Sequence, residues 1–116
     1  MKKKFTFIIS TPPYEKRSAF TGARIALTTQ LEDNETVIAL MEDGVYSAKT
    51  GQESAQFFRT VEILNDFLEF GGRILVCGMC LKERGIKEEE LIPKCEITDM
   101  TKLVQIMADS DQTVFF

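Results

Sequence analysis

Cys77 and Cys80, spaced C-x-x-C inside RILVCGMCLKERG (residues 73–85), are the residues of this chain best suited to chemistry. The apolar run Ile74-Leu75-Val76 reads as a buried strand of a parallel sheet, and it ends on Cys77. Leu81-Lys82-Glu83-Arg84 follows with good helix formers, and Gly85 suits a helix stop. A cysteine where a strand gives way to a helix lies at the open carboxyl edge of a sheet. Helix amides there favour the thiolate, which is the nucleophilic form. The chain contains no histidine. That removes the commonest general base, the Cys-His and Ser-His pairings and the commonest metal ligand.

Composition bounds the function classes. One domain spanning residues 1–116 is expected, with 44% apolar and 28% charged residues, as in an ordinary soluble globular protein. A formal net charge of −4 argues against nucleic acid as a primary ligand, and Lys2-Lys3-Lys4 reads as the solvated start of a strand. No apolar run approaches a membrane span, and residues 5–9 are too short for a signal-peptide core. A cytoplasmic protein with reduced thiols is the expectation. The odd count of three cysteines agrees, because it does not suit a disulfide framework.

The elements that must position the thiols read off in order. Residues 4–10 (KFTFIIS) form a first strand, broken by Pro12-Pro13. That break lacks the glycines and free amides of a phosphate cradle, so no nucleotide or flavin site is expected there, and no cofactor elsewhere. Phe20, Ala23, Leu27 and Leu31 make one face of a helix over 18–31, with Ser18 as a candidate N-cap. Residues 36–41 (TVIALM) form an apolar second strand ending in Glu42-Asp43-Gly44, a turn signal. Residues 46–53 read as a loop or short helical turn. Residues 54–70 are the longest helix candidate. Phe58, Val61, Leu64 and Leu68 form its stripe, and Phe57, Phe67 and Phe70 widen it. So broad an arc fits either a subunit interface or a well-covered helix of a monomer. Glu88-Glu89-Glu90 opens a short helix that Pro93 stops, and residues 94–97 form a fourth strand containing Cys95. Thr98 or Asp99 caps a last helix with Met100, Leu103, Val104 and Met107 on one face, and residues 113–116 form the final strand. Strands alternating with helices at this rhythm imply βαβ units and a parallel sheet.

Three chemistries compete for the cysteine pair. A structural zinc site needs four ligands, which three cysteines without histidine supply only with a carboxylate or another subunit. Dithiol redox chemistry fits a helix start, but Gly78 and Met79 between the thiols, and a chain without tryptophan, do not match thioredoxin. A sulfur carrier needs one nucleophilic cysteine, a pocket and a docking surface, and no base; this reading ranks first. Cys80 then serves as a second thiol or simply packs, as two buried structural cysteines would. Gly78, Met79 and Cys80 offer amides to the Cys77 sulfur, and Asp43 and Tyr46 line the pocket from the neighbouring strand end, provided the strands are parallel.

The sequence resembles the DsrE/DsrF-like family, which includes subunits of the Tus sulfur-relay complex. The resemblance rests on ARIAL, on MEDGVYSAKTGQ with its strand–DGV pattern, and on ILVCGMCLKERGI followed by EELIPKCEITDMTKLVQIMADSDQTVFF. It implies a flavodoxin-like, three-layer α/β/α domain with a mostly parallel five-stranded sheet. It implies trimeric or hexameric homo-oligomers, and in active members a persulfide on the cysteine that spacing to Arg84-Gly85 matches to Cys77. Sulfurtransfer then involves sulfur donor and acceptor proteins rather than a membrane or nucleic acid. The rival from another class is a non-catalytic assembly subunit of the same fold.

Overall fold

A computed structural model describes residues 2–14, 17–52 and 59–116. Five strands form one sheet: β1 (Lys4–Ile9), β2 (Glu35–Leu40), β3 (Arg73–Cys77), β4 (Glu96–Thr98) and β5 (Gln112–Phe115). Every pairing is parallel, in the order β4-β3-β2-β1-β5. The helices are α1 (Ser18–Leu31), α2 (Thr60–Glu69), α3 (Gly78–Glu83) and α4 (Met100–Asp109). Two 3-10 segments, η1 (Glu42–Ala48) and η2 (Glu88–Glu90), join them. The expected three-layer α/β/α fold is present; it shares its layers with flavodoxin and orders its strands differently.

Strand alternation assigns the two faces. Phe7, Ile9, Ile38, Leu40, Ile74 and Val76 point into the main core, which they share with α1, α2 and α3. Ile8 and Ala39 point the other way, onto Leu103 of α4. The connections through α1, α2 and α3 step in one direction across the sheet, so right-handed crossovers put those helices on one face. The return from β4 to β5 reverses the step and places α4 on the other face.

The buried stripe of α1 is Ala19, Gly22, Ala23 and Ala26, rotated from the expected Phe20–Leu31 face; Leu31 is exposed. Small residues win the sheet-facing position because the helix packs close. A Cβ on Gly22 would meet the Phe116 ring, whose own backbone is tied to β1 through Ile8 and Ser10. The helix begins at Ser18 with Arg17 before it and no side-chain cap, so Ser18 is not the N-cap. In α4 Leu103 alone is buried, whereas Met100 and Val104, expected on the same face, are exposed. Asp99 caps that helix by accepting the Lys102 amide at 2.9 Å. Phe67 of α2 is fully buried over Gly72, where any side chain would run into its ring, while Phe70 is exposed. The expected start of that helix, with Phe57 and Phe58, lies outside the described residues.

The short edge strand β4 starts two residues later than expected, leaving Cys95 just ahead of it. Arg73 of β3 fastens it by a two-pronged contact to Glu96, 3.0 Å from Nε and 2.9 Å from Nη2. The pair is half exposed, so Glu96→Gln should cost under about 1 kcal/mol near neutral pH. Arg73 holds the Glu96 carboxyl below its ordinary value of 4.5. The contribution is therefore complete above that value and fades as the pH falls through the lowered folded one. Urea melts should show the two proteins differing at neutral pH and converging in acid.

Candidate functional site

The site grows out of the carboxyl end of β3. Residues 74–77 are buried, and the strand stops at Cys77, whose φ of −65° and ψ of 116° turn the chain into α3. Cys77 is itself the N-cap: its Sγ accepts the Cys80 amide at 3.3 Å, the part a serine or aspartate oxygen usually plays. Gly78 sits where space is tight. A Cβ there would lie 3.1 Å from Ile97 Cγ2, crowding β4. Of the amides expected to serve the Cys77 sulfur, that of Cys80 makes the bond. Met79 is 72% exposed at the mouth of the site.

Cys77 is 9% exposed and Cys80 7%, so both thiols are buried at the carboxyl edge of the sheet. Cys80 Sγ accepts the Glu42 amide at 3.1 Å, across the gap between β3 and β2. Glu42 has a φ of +49°, in the left-handed region that non-glycine residues seldom occupy. That conformation starts η1. Two residues on, Gly44 rests on the end of β1 so closely that a Cβ would run into the Ile9 carbonyl. The Asp-Gly turn seen in the sequence is thus a device for laying η1 across the strand ends, where its first amide meets a sulfur.

Asp43 comes to the site without lining a pocket around Cys77. Its Oδ1 accepts from Arg84 Nε at 2.9 Å, and Arg84 Nη1 donates to the Cys80 carbonyl at 3.0 Å. Tyr46 is half-buried against the main core, and no hydrogen bond joins it to either thiol among the described residues. Arg84 was legible as a helix former and, with Gly85, as a landmark of the family resemblance, but not as a partner of Cys80. Its one positional signal is the four-residue spacing from Cys80 on α3, which lets a long cation reach back to a carbonyl at the helix end. The Glu42 amide has no side-chain signal at all.

Burial, followed by the hydrogen bond to Cys77, pushes the Cys80 thiol up, and the Glu42 amide offsets this in part. Burial and then the Glu96 charge push Cys95 to about 11. No group of three or more Cys, Asp or Glu side chains among the described residues is arranged to hold a metal. A groove of about 680 Å³ lies at the opposite, amino-terminal edge of the sheet, bordered by Lys4, Gln30, Phe70 and Arg73. It borders neither thiol, so the cysteine pair at the end of β3 is the better candidate despite the groove's size.

The arrangement aims an amide donor at the Cys77 sulfur, while burial pushes the Cys80 thiol up. Iodoacetamide at mildly alkaline pH should therefore label Cys77 first. Cys95 should remain largely unlabelled until the pH nears its raised value, because its thiolate is scarce below it. Peptide mapping against pH measures the order, and faster labelling of Cys95 than of Cys77 would contradict it.

Comparison with known proteins gives the family. An uncharacterized protein of Methanocaldococcus jannaschii is 42% identical over 113 residues, 97% of this chain and 99% of that protein. A protein TusC homolog of Vibrio vulnificus is 24% identical over 117 residues, covering 97% of this chain and 98% of its own. The crystal structure of the ychN protein from E. coli superposes with a TM-score of 0.92 at 24% identity, over 100% of both chains, and so shares the fold. The model of the DsrE/DsrF-like family matches residues 3–116. With that match spanning the sheet, both thiols and the C-terminal strand, the chain belongs to the DsrE/DsrF-like family.

Proposed function

We propose that this protein is a sulfur-relay protein that carries sulfane sulfur as a persulfide on Cys77. The observation that carries the reading is the Cys77 sulfur itself, at the end of a buried strand and holding the Cys80 amide at 3.3 Å. Membership of the DsrE/DsrF-like family and the resemblance to a TusC homolog support it. The step needs no cofactor, metal or external base. The Cys77 thiolate attacks the terminal sulfur of a donor persulfide, a new S–S bond forms, and the donor cysteine leaves as a thiolate. Sulfur moves without net oxidation, and the reverse step hands it to an acceptor thiolate. The persulfide anion that results gains from the amide that already meets the Cys77 sulfur.

Intact mass after incubation with a cysteine desulfurase and cysteine should show one added sulfur, mapped to Cys77 and absent from Cys77→Ser. No added sulfur on the wild type, or equal loading of the variant, removes the proposal. A Cys77–Cys80 disulfide formed instead would point to dithiol redox chemistry.

The proposal includes docking to other relay subunits of the Tus kind and assembly with copies of itself, as a trimer or hexamer. Met100 and Val104 on α4, 64% and 54% exposed, are an apolar face suited to such contacts. Light scattering should return a multiple of the 13.2 kDa chain, and Val104→Lys should lower it. A monomeric wild type refutes this part and leaves the assembly-subunit reading weaker as well.

A further inference from the structure

Cys80 is gripped at three points. Its amide is donated to the Cys77 sulfur, its own sulfur takes the Glu42 amide at 3.1 Å, and its carbonyl takes Arg84 Nη1 at 3.0 Å. The same guanidinium donates Nε to Asp43 at 2.9 Å. Because Asp43 follows Glu42 in the chain, these contacts close a ring from Glu42 through Cys80 and Arg84 back to Asp43. Among the described residues, the Glu42–Cys80 and Asp43–Arg84 bonds are the hydrogen bonds that join η1 to the segment of α3 and its C-cap.

Two features single out the ring. The Arg84 side chain is 20% exposed, the least exposed cation among the ion pairs of the described residues, although its partner Asp43 is 54% exposed. Glu42 also occupies the left-handed region, a conformation that persists only where the surroundings hold it. The Asp43–Arg84 pair holds the very next residue. The six-residue helix α3 is seated by its buried Cys80 and Leu81, and the Asp43–Arg84 pair adds a tie at its C-cap.

We propose that Arg84 is a positioning residue for the thiol pair: anchored by Asp43, it fixes Cys80 so that the Cys80 amide stays on the Cys77 sulfur. This deepens the carrier reading, on which its purpose rests. The charged groups around the pair are Arg84, with Glu83 3.5 Å from its Nη1, and Glu42 and Asp43 from η1. Ile97 and Thr98, which face Gly78 from β4, bring no charge.

The test follows Cys77 alkylation against pH by peptide mass in the full chain, beside a thermal melt, for Arg84→Gln, Arg84→Lys and Asp43→Asn. Arg84→Gln and Asp43→Asn should move the half-maximal pH upward and slow alkylation at neutral pH by roughly 3- to 10-fold. Arg84→Lys should recover only part, since an ammonium keeps the charge but not the fork that reaches both Asp43 and the Cys80 carbonyl. A profile unmoved in Arg84→Gln, whatever the melt shows, overturns the proposal. Full recovery in Arg84→Lys also overturns it, because charge alone would then suffice. If Arg84→Gln does not fold, Asp43→Asn is judged by the same criterion. Alkylation needs no sulfur donor, so a wild type that accepts no sulfur defeats the carrier reading without touching this result.

Discussion

Two backbone amides aimed at two sulfurs organise the carboxyl edge of this sheet. A buried thiolate without donors is costly, and a thiol with donors becomes usable. The Cys80 amide reaches Cys77 because the strand ends one residue before the helix begins. The Glu42 amide reaches Cys80 because the neighbouring strand ends level with it and turns across the gap. Parallel strands make both possible, since only parallel pairing brings the ends of β2 and β3 to the same edge.

The rest of the fold keeps that edge in register. Gly44 lets η1 lie against the end of β1, and the Met41 amide bonds the Ile9 carbonyl just before it. Small residues on α1 let the helix close onto the sheet, and Phe116 fills the space over Gly22. On the opposite face α4 covers Ile8 and Ala39 mainly through Leu103, leaving Met100 and Val104 in solvent. The molecule is thus well packed on the face that supports the thiols and thinly covered on the other. The proposed docking to copies or partners would use that thinner face.

Where expectation and structure part, the cause is physical. A helical stripe can be drawn through Phe20 and Leu27 or through Ala19, Ala23 and Ala26, and periodicity does not rank them. Close approach to the sheet does, and it favours alanine. The α4 stripe held only in part: Leu103 is buried and Met107 packs partly buried beside it, while Met100 and Val104 face solvent. Asp43 was expected at this sheet edge with no partner named, because its ion pair to Arg84 joins segments about forty residues apart in sequence.

Strand order of appearance, the parallel sheet, the cysteine at a strand-to-helix junction and the absence of histidine were all settled by residue types and their local spacing. Those are short-range properties: β-branched runs, glycine stops and turn pairs act over a few neighbours. Tertiary structure alone decided which amide meets each sulfur, and that Arg84 grips Cys80 from behind. Such contacts depend on the relative placement of β2 and β3, and a backbone N–H carries no mark of its direction in the amino-acid code.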